Sequence, residues 1–515
     1  MRRASLVSAI LSTTCLASAA AAEEELRITD TPLELSIHMH WDRSQGYDES
    51  YPVEQKAREL TGIHLIEATA GKNTNDTREA MNLLLAMGRM PDIVGSQLIK
   101  QPVNEYGPQG AFLPLNQLIE EHAPHIKAFF DERPELRRAI SAYDGNMYYI
   151  PYLPDGKYGR AYFVRQDWLD KLGLERPDDV DALYDTLVAF RDQDPNGNGK
   201  KDEIPFFVRD WEELMRLVVL WDGRSSGSDT SHDFMVNDDG EVVHPYAQEN
   251  YKIGLANIAQ WYREGLIDRE VFTRGSSARD YLLGEDLGGM THDWFASTSG
   301  YNASLSGEIE GFDFVPMLPP KSVSGRRIEE HRRIPIKPDG WAISHSNAHP
   351  VETIKYFDFW FTETGRLLSN FGIEGEQYEM IDGEPVFKPE VLNSDQPVNS
   401  QLWAIGAQIK KGYWQDYRYE WQWTAPAARE GIELYDSHDL LVDQFLGVAF
   451  SKEEQAVYDK YWPSIQSYML ERQQAWVLGN GDVEADWNGY LATLDKMGFD
   501  EVIEVMNAAY ARQYG

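Results

Sequence analysis

Cysteine is all but absent from this chain: Cys15 is the only one, and it lies inside a segment with the marks of an export leader. The mature protein therefore has no disulfide, no thiolate metal site and no thiol nucleophile. No later stretch approaches the roughly 20 apolar residues of a membrane-spanning helix. Positive charge is scarce, with 48 Lys and Arg against 84 Asp and Glu and a formal charge of −36. A long polyanion would be repelled by that field, which argues against nucleic acid as a partner. An anionic ligand would need a local cluster of Arg, Lys and amide donors. Internal repeats and low-complexity segments are missing, as are a nucleophile elbow, a phosphate-binding Gly loop and a zinc-protease helix.

What is there begins with the leader. Arg2 and Arg3 precede an apolar stretch from Ala4 to Ala17, and Ala20-Ala21-Ala22 offers small residues for cleavage before Glu23. Ser12-Thr13-Thr14 lacks the residues that a lipoprotein signal places before its cysteine, so lipid anchoring at Cys15 is disfavoured. Export in soluble form is the expectation. With 515 residues the chain is long enough for about two to four domains of ordinary size. Its 15 Trp and 27 Tyr can simply fill a large core. They also suit a carbohydrate cleft, where a flat ring lies against a sugar's apolar face while its polar edge takes a hydrogen bond.

The stretch with the clearest chemical demand is Asp194-Pro195-Asn196-Gly197-Asn198-Gly199-Lys200-Lys201-Asp202-Glu203. Asp194, Asn196 and Asn198 place side-chain oxygens at positions 1, 3 and 5 of a calcium loop, and the Lys200 carbonyl stands at position 7. Asp202 and Glu203 supply carboxylates early, because position 12 is Pro205 where a helix-loop-helix site has Glu. A shortened structural calcium site is the reading. The alternative is a solvated Asp/Asn/Gly turn. In both readings the loop is scaffold.

Alternation of Leu33, Leu35, Ile37, Met39 and Trp41 predicts a strand, with His38 and His40 on its other face. A helix near 53–60, a strand over 63–68, a helix over 76–90 and a strand at 91–95 follow. That order predicts an α/β layer with parallel strands. A second α/β run starts with a strand at 161–165, then helices at 166–172 and 180–191. Asp239-Gly240 signals a hairpin, 287–295 reads as a strand ending in a loop tip, and Pro338-Asp339-Gly340 as a turn into another strand. Long helices are expected over 351–371 and after Ser451.

The densest mixture of rings and hydrogen-bonding groups is Tyr413 to Pro426, which favours a ligand-facing loop or helix start over core packing. Trp294 beside Asp293 is a second candidate, although a lone tryptophan is ordinarily core. A pair of catalytic carboxylates cannot be picked out by spacing among so many acids. A secreted lyase or hydrolase acting on polysaccharide therefore stands as the alternative to a binding protein that catalyses nothing.

Several blocks carry a resemblance: Ile37-His38-Met39-His40, Ala123 to Phe130, Asp194 to Glu203, Arg224 to Asp229, Thr291 to Ser297, Pro338 to Ile343 and Trp414-Gln415-Asp416-Tyr417. Through them the chain resembles the extracellular solute-binding proteins of ABC importers, family 1, and most closely the periplasmic alginate-binding proteins. The resemblance implies an α/β, two-lobed periplasmic-binding-protein fold of the Venus-flytrap kind, with a hinge and a central ligand cleft. The leader would be 1–22. One lobe would comprise 23–152 plus about 295–345, and the other 153–294 plus about 346–515. It further implies structural Ca2+ at Asp194, Asn196, Asn198, Lys200, Asp202 and Glu203. By motif the sugar-contacting residues would be Tyr152, Trp294, Arg333, Tyr419, Glu420 and Trp423, the rings stacking on uronate units and Arg333 pairing with a carboxylate. The implied partners are an acidic oligosaccharide and the importer's membrane subunits, and the implied state is a monomer. Where the family has a basic residue this chain has Ser44, with Arg43 next to it.

Overall fold

Strand Leu33–Trp41 pairs in parallel with Ile63–Glu67 along its first half and with Ile93–Ser96 along its second. Its alternating Leu35, Ile37 and Met39 are buried, as the period predicts. The computed structural model describes residues 26–41, 45–68, 82–86, 90–226, 234–409 and 411–515. The leader, Arg43, Ser44 and most of the helix expected over 76–90 lie outside the described residues. Helix Pro52–Thr61 opens on proline and stops at Gly62, whose φ of 79° lets its N–H reach the Arg58 carbonyl. A Cβ on Gly62 would lie 2.6 Å from the Thr29 carbonyl oxygen, so only glycine fits that stop.

The chain divides into two units, one running to Asp155 and resuming over Pro335–Trp423, the other formed by Gly156–Ile334 and Thr424–Gly515. The first holds a sheet in which Gly340–Ile343 inserts antiparallel between Ile93–Ser96 and Ile150–Pro151. The second holds a four-stranded sheet in the order 314–317, 160–165, 288–294, 204–206. Strand Arg160–Arg165 is antiparallel to both neighbours, and Gly288–Trp294 runs parallel to Ile204–Phe206.

This division corrects the expected one in two places. Residues 295–334 remain in the second unit, because Phe314–Met317 completes its sheet beside Arg160–Arg165. Residues 346–423 remain in the first. There Asp358 accepts the N–H groups of His125 and Ile126 at 2.9 and 2.8 Å, and Lys411 meets Glu54 at 2.7 Å with both side chains buried. The expected helix over 351–371 is two helices, Pro350–Phe359 and Glu363–Phe371. Thr362 caps the second by accepting the Gly365 N–H at 3.1 Å. A Cβ on Gly365 would strike the Phe359 carbonyl.

Helix Lys452–Val477 starts in a capping box, with Ser451 and Glu454 each accepting the other's backbone N–H. It packs with the C-terminal helices Val483–Lys496 and Phe499–Tyr514 into the second unit's core, which buries Trp168, Phe190, Trp261, Trp476 and Trp487. Much of the aromatic wealth is therefore core. No described helix is long and apolar enough to cross a membrane.

Candidate functional site

The 194–203 loop follows helix Val180–Asp192, whose start Asp179 caps by accepting the Ala182 N–H at 2.9 Å. Asp194 takes φ 51°, and Gly197 and Gly199 take 74° and 77°, so the chain coils tightly. The side chains point back into this coil. Asp194 accepts the Gly199 N–H at 3.0 Å, Asn196 that of Asn198 at 3.0 Å, and Asn198 that of Lys200 at 2.7 Å. Asp202 accepts from the Asn198 amide at 3.0 Å.

Two acids then stand out. Glu203 is buried, and among the described residues neither its carboxylate oxygens nor Asp194 Oδ1 has a hydrogen-bond partner of good geometry. Burial, followed by the charges of Asp194 and Asp202, raises the Glu203 pKa. Leaving buried carboxylate oxygens without donors is costly. A hard divalent cation removes that cost, so the donor set fits calcium better than it fits a solvated turn. The loop also fastens its surroundings: Lys171 reaches the Pro195 carbonyl at 3.1 Å, the Asn196 amide the Asp286 carbonyl at 3.0 Å, and Ile204 N–H the Leu287 carbonyl at 2.7 Å.

In the first unit, Tyr152 stacks on Tyr413 with centroids 5.1 Å apart. The Tyr413 hydroxyl donates to Gln408 Oε1 at 2.9 Å, and the Gln415 amide joins that same oxygen at 3.2 Å to the Tyr419 hydroxyl at 3.0 Å. Helix Tyr417–Trp423 carries Tyr419 beside Trp423, at 6.1 Å between centroids. Tyr152, Tyr419, Glu420 and Trp423 thus fall in one unit, the first three largely buried and Trp423 partly exposed. The indole N–H of Trp423 is buried without an acceptor among the described residues.

The other two, Trp294 and Arg333, belong to the second unit. Residues 157–160 run between them: Arg160 pairs in register with Trp294, while Tyr158 bridges Arg332 and the Arg333 N–H donates to the Lys157 carbonyl at 2.7 Å. Trp294 is partly exposed, and the Arg160 guanidinium lies 4.0 Å from its ring centroid. Arg160 is held by Glu213 at 2.7 Å and by Asp293 at 3.6 Å. Arg209 pairs with the same two carboxylates, meeting Asp293 at 3.0 Å, and Arg279 meets Asp293 at 3.2 Å. Burial pushes the Glu213 pKa up, but Arg160 and Arg209 bring it down to about 2. Burial and the Glu213 charge raise Asp293. The sequence reading missed these arginines, because nothing local announces a partner 53 residues away, as in Arg160–Glu213.

Among the described residues, one group of three imidazole and carboxylate side chains has ligand atoms within 4.8 Å of one another: buried His292, Glu329 and His331. Hydrogen bonds to Glu329 join it in part, while Nδ1 of His292 and of His331 is buried without a hydrogen-bond partner among the described residues. His292 Nε2 lies 3.0 Å from Glu329, which also accepts the His331 N–H at 2.9 Å. Burial opposes the Glu329 charge, yet the two imidazoles hold its pKa well below the usual carboxylate range. His331 is pushed far down by burial and by Arg216. The trio braces strand 288–294 against the segment that carries Arg333.

No family model matches the chain. A solved structure of the alginate-binding protein AlgQ2 without calcium ion is 47% identical, with a TM-score of 0.78, covering 94% of this chain and 99% of that one. The fructooligosaccharide ABC transporter substrate-binding protein FusA of Streptococcus pneumoniae serotype 4 is 25% identical over 476 residues, 88% of this chain and 86% of that protein. The chain belongs to the substrate-binding proteins of ABC importers. A further relative of this substrate-binding protein is the polygalacturonan/rhamnogalacturonan-binding protein YtcQ of Bacillus subtilis strain 168, 28% identical over 354 residues, 65% of each chain. The two-lobed α/β class expected from the sequence is that of these proteins, and the chain's two α/β units agree with it.

Proposed function

We propose that this substrate-binding protein captures alginate or related uronate-bearing oligosaccharides in the periplasm and delivers them, as a monomer and without chemical change, to the membrane subunits of its importer. The observation that carries the reading is the 47% identity to alginate-binding AlgQ2 over nearly the full length of both chains. YtcQ supports the broader class of acidic polysaccharides. Tyr152, Tyr419 and Trp423 in one unit and Trp294 in the other supply rings for sugar faces, and Arg333 with Glu420 supplies polar selection. A cationic donor left without a carboxylate by a neutral sugar costs roughly 1–3 kcal/mol, which is the basis of rejection.

Calcium would be held by Asp194, Asn196, Asn198, Asp202 and Glu203 with the Lys200 carbonyl. Its chemistry there is neutralisation of buried carboxylates and fixing of the helix 180–192 end to strand 204–206. Leader cleavage near Glu23 would release the protein in soluble form.

Tryptophan fluorescence of the mature protein titrated with alginate oligosaccharides, galacturonate oligosaccharides and neutral oligosaccharides of matched length tests the reading. Saturable change with the acidic sugars alone, and recovery of those sugars intact, is the expected result. Unsaturated products or new reducing ends would establish the lyase or hydrolase alternative.

A further inference from the structure

We infer that Arg209 and Arg279, gathered with Arg160 around Asp293, the residue before Trp294, form a carboxylate-selecting subsite for an acidic sugar seated on that indole. This rests on the proposed function and names the groups in the second unit that read the ligand's charge.

The arrangement concentrates cations. One wholly buried carboxylate, Asp293, faces three guanidinium groups: Arg209 at 3.0 Å and Arg160 at 3.6 Å from Oδ1, and Arg279 at 3.2 Å. Glu213 serves two of the same three. Three like charges repel unless something assembles them, and a purely structural pair needs one arginine for one carboxylate. The surroundings make the assembly more conspicuous, since acids outnumber bases 84 to 48 in the whole chain.

Position supplies the second half of the argument. Asp293 immediately precedes Trp294 and accepts its backbone N–H at 2.7 Å, so the residue that collects the arginines also sets the indole. Arg160 covers a face of that ring at 4.0 Å. A cation behind an indole draws electron density from the face in front, which lowers the repulsion felt there by an anionic sugar. Arg279 is fixed by the Ser297 and Thr298 hydroxyls at 2.6 and 2.9 Å, on the turn that follows Trp294. Nε of both Arg209 and Arg279 is buried and has no acceptor among the described residues, so contact with the ligand falls to their outer nitrogens. Both side chains are partly accessible, at 18% and 13%, while Arg160 is closed over at 6%. Arg209 and Arg279 therefore read the carboxylate directly, and Arg160 acts through the ring as a positioning residue. Asp210 and Asp280, the other acids at the rim, are exposed, and they serve respectively as the cap of helix 211–215 and as partner of the Tyr301 hydroxyl.

Calorimetric titration with a mannuronate oligosaccharide and its carboxyl-reduced, neutral counterpart tests this in wild type, Arg279→Gln, Arg209→Gln and, as a remote control, Arg512→Gln. Each of the first two variants is expected to lose about tenfold in affinity for the acidic sugar, the worth of one charged hydrogen bond. Their affinity for the neutral sugar should stay within twofold, measured on protein shown by circular dichroism to be folded, because each loses a partner of a buried carboxylate and melts somewhat lower. The control should change neither. Equal losses for both sugars, or no loss for either, would overturn the subsite while leaving the acidic-sugar reading intact. Wild type that binds no acidic oligosaccharide would overturn both.

Discussion

The candidate recognition groups of the two units differ in kind. In the first unit, Tyr152, Tyr413, Gln408, Gln415 and Tyr419 form a neutral chain of stacked rings, hydroxyls and amides. In the second, Trp294 sits on the Arg160 guanidinium, which is tied to Glu213 and Asp293. Neutral hydrogen bonds discriminate hydroxyl geometry, while guanidinium groups discriminate charge.

The comparison breaks first at Asp293. Asp293→Ala removes one of the two anions that gather the three arginines and is expected to cost about 3 kcal/mol of folding stability, because Arg279 then lacks its carboxylate and Arg160 and Arg209 are left with Glu213 alone. Denaturant unfolding measures it, and a loss below about 1 kcal/mol would mean that the arginines do not depend on Asp293. Next is Trp294→Ala, which removes the platform common to all sugars. Affinity should fall by about 2 kcal/mol for acidic and neutral oligosaccharides alike. Loss confined to the acidic sugar would move shape recognition out of this ring.

Gln415→Ala sharpens the other side. It cuts the link between Gln408 and Tyr419 and should weaken both sugars equally, by about 1 kcal/mol in calorimetry. The smallest effect is a pH dependence. Burial holds His244 at about 3, and burial with Arg216 holds His331 well below its ordinary 6.5. The unfolded chain takes up these protons first, so stability is full above about pH 6.5 and declines as pH falls below it. Melting temperatures measured from pH 8 to pH 5 should drop on the acid side, and His331→Gln should flatten the drop.

How much of this was legible in the sequence depended on distance along the chain. The turns of the 194–203 loop could be read because its Asp, Asn and Gly residues fall within ten successive positions, and positive φ at Asp194, Gly197 and Gly199 is what such residues permit. Strand 33–41 and its parallel partners were equally plain from alternation and order. The return path was not. Pro338-Asp339-Gly340 announces a turn, but nothing nearby says that Phe314–Met317 has already paired with Arg160–Arg165. The break at Trp360–Thr362 was hidden because apolar residues run through it, and only the Gly365 contact and the Thr362 cap reveal the stop. For the same reason the arginines around Asp293 had no local signature, while the rings of Tyr413 to Trp423 did.

The interleaved chain path sets a timetable for folding. Gly340–Ile343 sits between Ile93–Ser96 and Ile150–Pro151, so the first sheet cannot close until the chain has been made through Ile343. The second unit waits longer still, for the helices over 452–514 that complete its core. Contacts this remote in sequence form slowly. During synthesis the emerging chain therefore stays open along most of its length.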